Sequence, residues 1–332
     1  MGSSIREYVK IGAAALACLA LASCGETAPE PKPEPEPVGN PEPKPAEPDE
    51  DTGKVEVQPG DLPARSFATL GEAMNHILEE AKPRVIGFGE VHQLEGTVKF
   101  ESSVERFSRW VVPELAGKTS DLVVETWVNL GVCGAQEAAV HKDLDETTER
   151  PETTESEVVR LLKRAEQLGV RPHILEFECK DYEALLEKDS EVDYFEMLGL
   201  ITRELEQRSA KLVAEPTAEG EPVRAVAVYG GAIHNDLAPH EELAQFSFAA
   251  ALDEASGGRY VEVDLLVPEF LETSEPFKAQ PWYSQFARLA SPDRVTVIER
   301  AERSYVVALR KGVVAEPPPT KNPENPSPPQ QK

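Results

Sequence analysis

The chain has 332 residues, of which 60 are acidic and 34 basic, for a formal charge of −26. A surface this acidic repels phosphate backbones, which argues against nucleic acid as a partner and says little about any other substrate. The two ends differ in composition from the middle, and without them roughly 260 residues remain, enough for one α/β domain with a sizeable core.

Residues 1–23 read as a targeting segment. Arg6 and Lys10 precede an apolar run over residues 11–21, too short for a comfortable membrane span. The run ends Leu21-Ala22-Ser23-Cys24-Gly25, which resembles the bacterial lipobox. That resemblance implies cleavage before Cys24 and lipid on its thiol and new amino group. The expected place is then the cell envelope, lipid-anchored at the outer membrane or the periplasmic face. An ordinary secretory signal is the alternative, and it too exports the domain. Residues 24–53 alternate Pro with Glu and Lys and read as an unfolded, partly polyproline tether. Residues 54–314 form the expected domain, and 315–332 a polar, Pro-rich tail. With Cys18 removed and Cys24 lipidated, Cys133 and Cys179 remain. In an oxidising compartment they can pair, or they can stay as two separate buried thiols.

Within the domain the pattern alternates. Residues 67–80 predict a helix, with Leu70, Met74, Ile77 and Leu78 at helical spacing. A first strand follows at 84–88. Residues 97–115 predict a helix and 121–125 a second strand. Residues 129–154 are polar and acidic and read as a long excursion. Residues 156–168 predict a helix, capped by Ser156 and stopped by Gly169. A third strand is expected at 172–177, helices at 181–187 and 193–213, and a fourth strand at 222–229. A helix at 241–251, a fifth strand at 260–267 and an antiparallel pair at 295–298 and 305–309 complete the chain. The expected fold is α/β, a mostly parallel sheet with helices on both faces and an antiparallel strand pair at the C-terminus.

Strand ends carry the chemistry. Gly87-Phe88-Gly89-Glu90-Val91-His92 closes the first strand and Gly230-Gly231-Ala232-Ile233-His234 the fourth. The glycines are expected to permit tight turns off the strands. Glu125 ends the second strand, and Glu176 and Glu178, two apart on the third, would share a face. In a parallel sheet these groups converge where ligands bind, off the carboxyl ends of the strands. Imidazole and carboxylate are ligands for a divalent transition metal, here His92, His234, Glu90, Glu125 and Glu178, and such a metal acidifies bound water. The same groups, Glu90, His92, Glu125 and His234, can also act without metal, a Glu-held His serving as general base. His141, His173 and His240 read as surface or capping residues, and the acidic run 143–157 as a solvated stretch. Trp127, Trp282 and Tyr283 suit core packing better than a pocket wall.

Gly89-Glu90-Val91-His92, Val123-Val124-Glu125-Thr126 and Gly231-Ala232-Ile233-His234 resemble the superfamily of Tiki proteases, TraB proteins, erythromycin esterases and ChaN-type haem-binding lipoproteins. The resemblance spans residues 65–310 but rests on these three motifs. It implies an α/β fold with paired Gly-x-x-His motifs, and hydrolysis, metal-dependent in the Tiki case, of an ester or peptide. It equally implies haem binding in the ChaN manner, with a histidine or Tyr229 as axial ligand. A surface binding protein that keeps the fold without turnover is the third expectation. Hydrolysis of an unspecified small molecule or peptide is the reading preferred from the sequence.

Overall fold

In the computed structural model the described residues are 18–19, 55 and 58–315, less 148–150, 152, 187–191, 217–219, 221 and 273. The expected signal segment, tether and tail, Cys24 included, lie outside them, apart from Ala315 and from Cys18–Leu19, which pairs in parallel with Trp127–Val128. Among the described residues no helix is long and apolar enough to cross a membrane.

Eight strands build one sheet. In chain order they are β1 (Ala64–Phe67), β2 (Val85–Glu90), β3 (Thr119–Val124), β4 (Arg171–Ile174), β5 (Ala225–Gly231), β6 (Tyr260–Leu266), β7 (Val295–Ala301) and β8 (Ser304–Ala308). Their order across the sheet is β1-β7-β8-β6-β2-β5-β3-β4. Only β7 runs against the others, antiparallel to β1 and β8. The expected α/β class, the mainly parallel sheet and the antiparallel C-terminal pair are all present.

Alternation along the strands divides two cores. Ile86, Phe88, Val124, Ala227 and Tyr229 pack on one face beneath α1 (Leu70–Ala81) and α4 (Thr153–Gln167). The same face holds a composite helix, α2, formed by Ser103–Arg106, a π turn at Phe107–Val111 and Val112–Leu115. Val85, Val123, Val226 and Val228 pack on the other face, against α3 (Ala135–Thr147), α5 (Cys179–Leu185), α6 (Tyr194–Ala214) and α7 (Ala249–Ala255). Short helices α8 (Pro268–Leu271), α9 (Glu275–Lys278) and α10 (Tyr283–Leu289) close the first face.

Several expected boundaries move for local reasons. Thr69 and Glu72 form a reciprocal capping box, so the first helix starts at Leu70, and Phe67 belongs to an edge strand instead. Residues 97–102 are not α-helical, because the Ser102 hydroxyl accepts from Glu105 N and starts α2. The excursion after Glu125 contains α3, pinned at its base by a Cys133–Cys179 disulfide. Ser156 lies inside α4 rather than at its cap, and Gly169 ends that helix with φ +76°. Residues 241–246 are a 3₁₀ turn, and α7 begins only at Ala249.

Candidate functional site

The two Gly-x-x-His motifs meet because β2 and β5 are hydrogen-bonded neighbours, with Gly89 opposite Gly230 and Glu90 opposite Gly231. Beyond the register the chains stay together, since Ala232 N donates to the Glu90 carbonyl. On the other flank, Glu125 N donates to the Tyr229 carbonyl. Glu90, His92, Glu125 and His234 thus gather at the carboxyl ends of three adjacent strands, and all four are buried.

The pair from β2 lies on the first face. Glu90 continues the parity of Ile86 and Phe88 and points the same way as Tyr229. His92 Nδ1 is 2.7 Å from Glu90 Oε1, and the Tyr229 hydroxyl donates to Glu90 Oε2 at 2.5 Å. A carboxylate accepts, so Nδ1 carries the hydrogen in this contact. Tyr229 is held from behind by Phe107, whose ring centroid is 4.2 Å away. The axial-ligand expectation for Tyr229 therefore meets a hydroxyl turned into the site, toward Glu90.

Glu90 and His92 line a small cavity with Gln93, Ser102, Val104, Thr154 and Glu157. Its volume is about 10 Å³, and a buried water needs about that much. Glu157 is the residue that the sequence concealed. It sits at the end of the acidic run read as solvated, yet α4 turns it inward, and Ser102 donates to its Oε2 at 2.6 Å. Burial raises its pKa, with the nearby charges of Glu105 and Glu90 adding to the rise. The amphipathic helix that carries Glu157 was visible in the sequence, but its contact with Ser102, 55 residues away, was not.

The pair from β3 and β5 lies on the other face. Glu125 crosses the open surface of Gly230, and its Oε2 accepts from Gly231 N at 2.6 Å. His234 is wholly buried, with Nδ1 3.0 Å from the Phe246 carbonyl and 2.9 Å from the Thr202 hydroxyl. The carbonyl fixes the hydrogen on Nδ1, which points Nε2 toward Glu125 Oε1 at 3.8 Å. That spacing exceeds a direct hydrogen bond. Burial, joined by a smaller effect from the charge of His92, lowers the His234 pKa to about 4, so the ring is neutral near pH 7.

Beneath this pair lies a buried polar cluster absent from the sequence expectation. Tyr260, Glu262 and Asp264 alternate along β6 and face the same side. Tyr260 donates to the Asn235 carbonyl at 2.9 Å, Asn235 Nδ2 reaches both Gly87 O and Asp264 Oδ1 at 3.2 Å, and Leu237 N donates to Glu262 Oε2 at 3.1 Å. Arg300 on β7 joins Glu262 and lies 2.8 Å from Asp236. Burial raises the pKa of both Glu262 and Asp264, helped by the charge of Asp264 and Asp236 on Glu262 and of Asp236 on Asp264. The ion pair with Arg300 works the other way, but one guanidinium faces three carboxylates, so a proton stays on the acidic pair near neutral pH. The strand's polar–apolar alternation, Tyr-Val-Glu-Val-Asp, was the available signal.

These neighbours explain the glycines. Gly87, Gly89 and Gly230 have ordinary strand dihedrals, with no positive φ, so they are not turn residues as expected. They are absences of side chain. A Cβ on Gly87 would overlap the Tyr260 hydroxyl, one on Gly89 Asp264 Oδ1, and one on Gly230 Glu125 Oε2.

Glu176 and Glu178 are not brought in. β4 ends at Ile174, so the two do not share a strand face. Glu176 pairs with Arg208 at 3.2 Å, and Glu178, 70% exposed at its side chain, caps α5 and pairs with Lys180 at 2.5 Å. The metal-ligand expectation for Glu178 fails on this placement. Among the described residues no three His, Cys, Asp or Glu side chains are grouped as a metal would require. The residues present therefore do not form a chelating set. His141, expected at the surface, is buried beside Trp127 and Tyr182. His173 bonds Asp121 at 2.8 Å, and His240 caps the 3₁₀ turn. Trp127 and Trp282 are core residues.

No family model, no characterised protein and no solved structure matches the chain.

Proposed function

We propose that the protein is an exported, lipid-anchored hydrolase in which the Glu90–His92 pair activates water against a small carboxyl derivative, an ester, lactone or peptide. The 2.7 Å contact between Glu90 and His92 Nδ1, at the edge of a water-sized cavity, carries the reading. His92 Nε2 takes the proton as water attacks the carbonyl carbon, and Glu90 stabilises the imidazolium that results. Tyr229 supports Glu90 by donating to its second oxygen. Glu157, whose pKa burial raises, faces the same cavity and serves as the acid that protonates the leaving group. The two carboxyls have different surroundings: Glu90 is hydrogen-bonded from two sides, and Glu157 is buried beside other acids. Export is supported by the lipobox-like Cys24 and by the Cys133–Cys179 disulfide, which belongs to an oxidising compartment.

The test is turnover of a panel of short-chain nitrophenyl esters, lactones and chromogenic peptides by the full chain. His92→Ala should lower turnover by about 10²–10⁴-fold with the circular dichroism spectrum unchanged. Glu157→Gln should depress it most on the acidic side, where the wild-type carboxyl is protonated and can donate, and should flatten the alkaline fall. The reading is overturned by no turnover on any of the panel, or by His92→Ala turning over as fast as the wild type.

A further inference from the structure

A second cavity, of about 170 Å³, opens on the same face of the sheet, between the start of α1, the π turn of α2 and the end of β8. Leu70, Trp110 and Leu309 give it apolar walls, and Trp110 is 49% exposed. Its charged lining is unlike the rest of this acidic chain, with three guanidinium groups, from Arg106, Arg109 and Arg310, against one carboxylate, Glu101. Arg109 is engaged by Glu101 at 3.1 Å and Glu105 at 3.2 Å. Arg310 donates to the neutral carbonyl of Ala68. Arg106 is 4% exposed; its Nε and Nη1 donate to the carbonyls of Glu101 and Arg310, and its Nη2 makes no hydrogen bond. Its closest approach to Glu101's carboxylate is 3.6 Å. A buried guanidinium with an unmatched donor is costly unless an acceptor completes it.

The backbone makes the same point independently. α2 is interrupted by a π turn over Phe107–Val111, an arrangement rare in helices and frequent at functional sites. The turn and its preceding residue supply Arg106, Arg109 and Trp110 to the cavity.

We propose that this cavity binds a small monocarboxylate with a short aliphatic tail, the carboxylate on Arg106 and Arg310 and the tail against Trp110 and Leu309. Apolar walls with a cationic end select an amphiphilic anion over an inorganic one. The volume lies below the roughly 300 Å³ at which pockets for drug-sized ligands begin, which limits the tail to a few carbons. The site does not depend on the hydrolase reading.

The experiment is a titration of the full chain with hexanoate, followed by Trp fluorescence, with hexanol and chloride as comparators. Hexanoate is expected to give a saturable change that Trp110→Phe removes, at an affinity about tenfold or more above hexanol, the margin of one charge-assisted hydrogen bond. Arg310→Gln should weaken hexanoate by a similar factor while leaving hexanol alone. The proposal is overturned if hexanol binds as well as hexanoate, if chloride competes as well as hexanoate, or if no saturable change occurs. The comparison of ligands on the unaltered protein decides it even where a variant fails to fold.

Discussion

The two Gly-x-x-His motifs have the same spacing, sit on neighbouring strands offset by one residue, with Gly231 opposite Glu90, and end in different chemistry. His92 is bonded to a carboxylate and borders a cavity. His234 is bonded to a carbonyl and a threonine hydroxyl, is wholly buried, and is held neutral. The motif brings each imidazole to the sheet edge. The helix packed on that face decides what the ring can do: α4 and α2 leave space around His92, whereas α6 and the residues before α7 close over His234. One face therefore carries the pair proposed to move protons, and the other holds the loop that carries residues 234–237 in place.

The largest effect should separate the two at once. His92→Ala should lower turnover by about 10²–10⁴-fold, the range for a general base, with little change in melting temperature. A melting temperature that collapses with activity would place His92 with His234 as a structural residue. His234 should show its weight in stability instead. Between its ordinary pKa of 6.5 and its buried value of about 4, the unfolded chain binds a proton that the folded chain excludes. Stability is then whole above about 6.5 and falls as pH drops through that window, by on the order of 3 kcal/mol. Melting curves of His234→Gln across the same range should be flatter by about that amount. Glu262 and Asp264 act with the opposite sign. Their raised pKa values mean that the folded state keeps a proton the unfolded state has released, so stability declines as pH rises, and Glu262→Gln should remove part of that decline.

A smaller effect tests the packing behind the second region. Gly89→Ala forces a methyl into Asp264 and should cost about 1–3 kcal/mol by urea denaturation, the usual range for overpacking. Were the glycine needed only for a turn, a strand-compatible alanine would cost far less. The smallest change should come from Tyr229→Phe, which deletes one hydrogen bond to Glu90. A loss of about tenfold in kcat, with KM held, is expected for a residue that positions the pair. No loss would assign the Tyr229 hydroxyl to packing alone.

Much of this was legible from residue types and periods. Short apolar runs separated by amphipathic segments sufficed for a mainly parallel sheet, and strand-end placement of Glu90, His92, Glu125 and His234 followed from it. The third strand shows the limit. Arg171–Ile174 stops two residues before Glu176 because the chain leaves the sheet edge to start α5, and local propensity does not register that exit. Glu157 shows the converse, since an acidic run looks solvated until Ser102 and the cavity turn one of its members inward.

The amino-acid sequence by itself determined the fold class, the pairing of two His motifs at strand ends and the two cysteines available to bond, because period and residue chemistry are local properties. Tertiary structure alone decided that the motifs occupy opposite faces, that Gly87, Gly89 and Gly230 serve as room for Tyr260, Asp264 and Glu125, and that Glu262 and Asp264 are buried on one arginine. Those outcomes depend on which strands become neighbours and which helix covers each face. They rest on contacts between residues far apart in the chain, and burial then sets the charge state of each group.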